Sequence, residues 1–328
     1  MNRERLSESS ETSRGIGSPR PDAAHTPLCG LMVAVRLAGA PAARSHDCRP
    51  HHDIRIEDAF VSHILGDPMP DAQTLDDPLA EASRIVALGA AHGLQVRLLG
   101  GLAFHAQVRT WMAAIERPQR DIDLATRGRD RRALADLLGN AGYEPDRRQN
   151  ALHGHKQLYF ADTRTGRPVD VLVERLEMCH RFEFGDRLGL DDFTLARADL
   201  LLSKLQIVKI NRKDLLDILI LVREHDLVSD DRLGINVERI VALTSNDWGW
   251  WRTVTGNLER LAAFLRDEVA AEELETGTPA RHDPAEQLRV IRTTIDAAPK
   301  PLAWRLRARL GDRIPWYDEP EEMAHGPL

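Results

Sequence analysis

A chain of 328 residues with 42% hydrophobic content carries enough apolar material for one large or two modest domains. Its net charge of -7 excludes a basic coat for non-specific nucleic-acid binding, so any such contact must come from a local patch. Three cysteines, Cys29, Cys48 and Cys179, show no CxxC spacing, which reads as free thiols of a reducing cytoplasm and argues against zinc. No apolar run approaches the ~20 residues of a membrane helix, and the alanine-rich stretch 28–43 is interrupted by Arg36, so neither a membrane partner nor a signal peptide is expected.

Residues 1–75 are rich in Ser, Arg, Pro, Gly, Asp and His without a sustained period, the pattern of a disordered leader, with at most a short helix near 53–65 or a true start at Met69. The periodic sequence that follows predicts an α+β fold. Its spacing gives a helix over 78–92, a strand over 96–99 that runs into Gly100-Gly101, and a helix over 102–115. Asp121-Ile122-Asp123 then opens an acidic strand, and 129–141 is amphipathic. Two strands, 156–160 and 169–173, flank a hairpin loop; in the second, Val169, Val171 and Val173 share one face while Asp170 and Leu172 share the other. From Ala196 the chain turns helical, broken at Asn211, which is placed to cap the next helix. Further helices are predicted over 237–244, 250–273, 284–297 and 302–310. The domain plan is therefore a leader to 75, a small mixed sheet with flanking helices over 76–195, a helical region over 196–312 and a polar tail over 313–328.

Chemistry concentrates around the glycine pair. Without a Cβ, Gly100 and Gly101 let backbone N–H groups approach a ligand, and the helix that follows adds a field suited to phosphate. The pair lacks the GxGxxG and GxxxxGK[ST] patterns, but it is followed, with nineteen residues between Gly101 and Asp121, by the Asp-x-Asp strand. Asp121 and Asp123 project to one face of that strand, where two carboxylates side by side make most sense with a divalent cation between them. With Asp170 as a third acid, the set is expected to converge on one or two Mg²⁺ and to support attack on the α-phosphate of a nucleoside triphosphate. Asp170 is the natural base for the acceptor hydroxyl, and Lys204, with Arg212 or Lys213, would neutralise the leaving pyrophosphate.

The segments GGLAFHAQ, RPQRDIDLA, VDVL and KLQIVKINRKDLLDIL, in that order, resemble the motifs of the AbiEii/AbiGii-type nucleotidyltransferases of the DNA polymerase beta-like superfamily. The resemblance spans about residues 78–226. It implies a small mixed-sheet nucleotidyltransferase core with a helical region behind it, Mg²⁺, and a nucleoside triphosphate as donor. It places the glycine motif on Gly100 and Gly101, the metal acids on Asp121 and Asp123, and a preceding arginine on Arg117. The helical lysine falls on Lys204 and the later Lys-Asp-x-x-Asp on Lys213, Asp214 and Asp217, residues that support triphosphate binding and catalysis in that family. Leu102 stands where many relatives carry Ser or Thr, and Gln119 replaces a small hydroxyl.

The acceptors that the resemblance implies are an RNA end such as that of tRNA, in a toxin-like member with an antitoxin protein as partner, or a small hydroxylated molecule such as an antibiotic. Arg129 to Arg132 and Arg147-Arg148 supply the local basic strip an RNA would need. The alternative is a non-catalytic nucleotide-binding or regulatory module that keeps the fold. Other features have blander uses. Lys204 on an apolar helix would snorkel, Asp214 and Asp217 would complement a helix start, and His153 and His155 would lie exposed on one strand face. Trp248, Trp250 and Trp251 would either stack a base or anchor the next helix in the core, the simpler use, and Cys179 would be a buried thiol.

Overall fold

The computed structural model describes residues 74–108, 121–267 and 279–319. The leader, Arg117, Gln119, the far end of the helix expected over 102–115, and the end of the tail lie outside the described residues.

The chain is a mixed α/β fold built on one five-stranded sheet. Helix α1 (Pro78–Ala91) leads into β1 (Val96–Leu99), α2 (Gly100–Gln107) and β2 (Ile122–Thr126). Then come α3 (Arg131–Asn140), β3 (Tyr143–Pro145), α4 (Arg147–His153), β4 (Gln157–Asp162) and β5 (Pro168–Val173). The sheet order is β1-β2-β5-β4-β3, with β2 and β5 parallel and the other neighbours antiparallel. The alternation read in the sequence is what orients it: Val169, Val171 and Val173 are buried on one face while Asp170 and Leu172 are only half-buried on the other. The same holds in β2, where Ile122 and Leu124 are buried and Asp123 stands between them.

A small hairpin, β6 (Arg175–Glu177) and β7 (Arg181–Glu183), leads to the helical part: α5 (Arg197–Leu205), α6 (Arg212–Glu224), α7 (Val237–Asn246), α8 (Trp248–Phe264), α9 (Pro284–Ala297) and α10 (Leu302–Leu310). A parallel pair of two-residue strands, β8 (Leu227–Val228) and β9 (Ile235–Asn236), joins α6 to α7. Asn211 caps α6 as expected, its side chain accepting from the Asp214 N–H at 3.1 Å. One hydrophobic cluster runs from Leu79 in α1 through the sheet to Ile295 in α9. Among the described residues no helix is long and apolar enough to cross a membrane.

Several sequence expectations are corrected. Helix α2 starts at Gly100, not at residue 102, and ends at Gln107, because Val108 leaves helical geometry. Asp146 accepts from the Gln149 N–H at 2.9 Å and so caps a short helix that the sequence did not announce. His153 is therefore the last residue of α4 and His155 lies in the turn after it, so the two do not share a strand face. The helix expected over 250–273 is α8, started two residues earlier by the Asp247 cap and finished at Phe264. Trp248 and Trp250 are buried as its anchors: Trp250 meets Phe182 of β7, and Trp248 meets Trp316 edge-on. Cys179 is a buried thiol.

Buried polar groups tie the layers together. Glu81 of α1 is fully buried, taking Arg84 at 2.7 Å and the Tyr143 hydroxyl of β3. Asp199 of α5 is likewise buried between Arg187, at 2.7 Å, and Arg239 of α7, at 3.0 Å. His180, between β6 and β7, lies against Trp250 with its Nε2 at 2.8 Å from the Thr253 hydroxyl. That hydroxyl accepts from the Trp316 indole N–H at 3.1 Å and keeps its own proton for the imidazole, which fits a neutral ring.

Burial pushes the His180 pKa down to about 4, against the pull of Asp247 and Asp318. The unfolded chain then binds the extra proton first, so stability is complete above the ordinary histidine value of about 6.5 and is lost as pH falls toward 4. Denaturant titrations at pH 7 and pH 5 should show that wild type loses about 2 kcal/mol more than His180→Gln over this interval. Equal losses in the two proteins would mean that folding leaves the His180 pKa unshifted.

Candidate functional site

The two acids that sequence spacing could only suggest as neighbours are set beside each other by strand register. In the parallel pair of β2 and β5, Asp123 stands opposite Asp170, so both carboxylates leave the same face of the sheet. On the other side of β2, Leu99, the last residue of β1, pairs with Asp123, and Gly100 therefore turns directly over its carboxylate. Gly100 has a positive φ of 67°, and a Cβ built on it would stand 1.9 Å from Asp123 Oδ2. Only glycine satisfies both the backbone and the space. Gly101 occupies the second position of α2.

Asp121 lies just before β2 and is exposed. It raises the Asp123 pKa, as a nearby like charge does, but burial and Asp170 act more strongly. Together they push the Asp123 carboxyl up to about 7, against the opposing pull of Lys204. Across the sheet, Tyr159 pairs with Asp170 from β4, and burial, then Asp170 and Asp146, push its phenol up to about 12. Gln157 Nε2 reaches Asp170 Oδ2 at 3.3 Å. The row Asp123, Asp170, Tyr159 thus crosses three neighbouring strands on one face. Tyr159 and Gln157 carry no motif and were not singled out from the sequence; only the unpredicted register of β4 brings them here.

Among the described residues no group of three carboxylate, imidazole or thiol side chains is gathered closely enough to hold a metal ion. The protein instead offers the Asp123–Asp170 pair at the glycine turn, with exposed Asp121 beside it. Mg²⁺ is commonly held by one or two carboxylates together with substrate phosphates and water, so this donor set and the space kept free by Gly100 fit it.

Lys204 behaves otherwise than a free phosphate ligand. Its ammonium lies 2.6 Å from Asp214 and 3.4 Å from Asp217, one turn apart on α6, and 5.8 Å from the Phe104 ring centre on α2. Burial pulls its pKa down, but Asp217 and Asp214 outweigh this and hold it above the ordinary lysine value. Asp214 and Asp217 are therefore not merely helix-start residues: both are buried and joined to α5 through this lysine. Arg212 places its guanidinium 4.9 Å from the Phe264 ring centre, at the end of α8, while Lys213 is exposed. Arg117 lies outside the described residues. Compared with known proteins, the chain matches no family model and no curated relative.

Two substitutions test this geometry. Gly100→Ala should cost about 2 kcal/mol or more in denaturant unfolding, from the positive φ and the collision with Asp123. Adding Asp123→Ala should return the collision part and leave about 1 kcal/mol; purely additive losses would show that the two side chains do not meet. Lys204→Met strands two buried carboxylates and should destabilise by about 3 kcal/mol or more, with partial recovery in Lys204→Met/Asp217→Asn. A change within 0.5 kcal/mol, the ordinary range of a surface substitution, would contradict the pairing.

Proposed function

We propose that the chain is a nucleotidyltransferase that moves a nucleoside monophosphate from a nucleoside triphosphate to an acceptor hydroxyl. The observation that carries the reading is the Asp123–Asp170 pair, on adjacent parallel strands, beneath a glycine turn that opens a helix. The likeness of four ordered segments to the AbiEii/AbiGii-type nucleotidyltransferases supports it.

Asp121, Asp123 and Asp170 are the groups that would hold Mg²⁺, one ion or two. When bound, the metal neutralises the polyphosphate and polarises the phosphoryl group under attack. The first N–H groups of α2, after Gly100, have no partner within the helix and lie at its positive end, suited to phosphate oxygens. Asp170, its Oδ2 held by the Gln157 amide, takes the proton of the acceptor hydroxyl. Lys204 has three N–H donors and shares its charge with Asp214 and Asp217, so its part is to set α6 against the site and to favour the charged form of Asp123. Pyrophosphate release then draws on the exposed Arg212 and Lys213 more than on Lys204. For the acceptor, an RNA end such as that of tRNA has the exposed Arg129, Arg132, Arg147 and Arg148 to meet its backbone. A small hydroxylated molecule such as an antibiotic is the other acceptor class, and an antitoxin-type protein is the partner that the toxin-like role would bring.

One observation favours the second reading, a non-catalytic module that binds a nucleotide: Lys204, which acts on Asp123, is committed to two carboxylates. The two readings separate in one experiment. The protein is incubated with Mg²⁺ and each α-labelled triphosphate, with total tRNA or a panel of hydroxylated antibiotics, beside Asp123→Asn and Asp170→Asn. Label should pass to one acceptor class and fall at least 100-fold in either variant. Triphosphate binding without transfer to any acceptor would select the module, and neither binding nor transfer would remove both readings.

A further inference from the structure

Helix α10 is docked with its apolar row outward. Trp304 and Arg307 hold it down: the indole N–H of Trp304 donates to the Thr244 carbonyl at 3.0 Å, and the Arg307 guanidinium lies 4.3 Å from the Trp248 ring centre. Arg307 also donates to the Gly311 and Ile314 carbonyls at 2.8 and 2.7 Å, closing the chain beyond the helix. That leaves Leu302 64%, Leu306 50%, Leu310 45% and Ile314 45% exposed. Spacing of four residues stacks the three leucines into one row. Arg305 and Arg309 run along one edge of it, and the exposed Arg313 follows at the end. Among the described residues these three guanidiniums have no carboxylate partner, and the span 302–313 holds four arginines and one aspartate, a local net of +3 in a chain of -7.

We infer that this face of α10 is a docking surface for an acidic amphipathic helix of another protein, one that sets apolar side chains against Leu302, Leu306 and Leu310 and carboxylates along Arg305, Arg309 and Arg313. Contiguous exposed apolar side chains edged with charge are a signature of an interaction site, whereas the other exposed leucines, Leu75, Leu152 and Leu233, stand singly. Charge selects the occupant. Two copies of this face would bring guanidinium rows together. An extended anionic bilayer would meet the repulsion of the whole chain, while a single acidic helix meets only the positive row. A partner helix lying along this row would meet it through anchors of the same spacing, i, i+4 and i+8.

The test uses the full chain and a fluorescent synthetic helix with leucines at i, i+4 and i+8 and glutamates alongside. A second peptide carries lysines in place of the glutamates, and vesicles of anionic phospholipid form a third arm. Anisotropy should show saturable binding of the acidic peptide, at least 10-fold weaker for Leu306→Ala and for Arg305→Glu/Arg309→Glu, and weaker still with added salt. These side chains are exposed, so circular dichroism should show both variants folded. Absence of acidic-peptide binding, equal binding of the lysine peptide, indifference to the substitutions, vesicle binding in preference to peptide, or self-association through this face would each overturn the inference.

Discussion

The site depends on one register. Asp123 and Asp170 are neighbours on the same face only because β2 and β5 pair in parallel with Ile122 opposite Val169 and Leu124 opposite Val171. A slip of one residue would turn one acid into the core and expose either the valines of β5 or Ile122 and Leu124 of β2, and the burial of Val169, Val171, Ile122 and Leu124 forbids it. At about 25 cal/mol per Å² of apolar surface, each such side chain contributes on the order of 2 kcal/mol, so the hydrophobic pattern opposes the slip several times over. Two like charges held together are thus the consequence of packing on the opposite face, and the glycine turn above them keeps that place open.

Charge around this pair is out of balance by design of the sequence. Asp121, Asp123, Asp170, Asp214 and Asp217 are five carboxylates, and Lys204 is an ammonium coupled to both sets. Lys204 is held by α6 and acts on Asp123 in β2, so it joins the helical region to the sheet electrostatically as well as by packing through Phe104. An excess of negative charge suits a cation and repels a bare polyphosphate. On the proposed reading a triphosphate therefore enters with its counter-ions, and the anion-binding end of α2 contributes direction more than net attraction.

The strand alternation of 169–173, the Asn211 cap and the glycine turn were legible because each is a local rule: parity along a strand, a side chain reaching three residues on, a missing Cβ. What was not legible depends on pairing across distance. Nothing near residues 157 and 159 announces that β4 will lay Gln157 and Tyr159 beside Asp170. Lys204 read as a snorkelling or phosphate-binding lysine because its partners lie on the next helix, and only the angle between α5 and α6 decides that it meets them. The ligand-like spacing of His153 and His155 dissolved when Asp146 capped a helix ending between them. For α10 the element was readable and its orientation was not, since a face with Trp304 and a face with three leucines compete for the same core. The wide indole won by reaching both a ring partner, Trp251 at 5.3 Å, and a backbone carbonyl.

Leu102 draws these strands together. Beside the AbiEii/AbiGii-type motif it looks like a lost hydroxyl, two residues into a phosphate-binding helix. In the structure it is buried, 2% exposed, and belongs to the cluster that runs from α1 to α9. A serine at this position would surrender on the order of 2 kcal/mol of burial and leave a hydroxyl to be satisfied in an apolar setting. The side chain at 102 is therefore a packing choice that fixes α2 upon the sheet, and through α2 the position of Gly100 above Asp123. On the proposed reading, the phosphate contacts at this helix end come from backbone N–H groups. These depend on where the helix lies and not on which side chain follows the glycines.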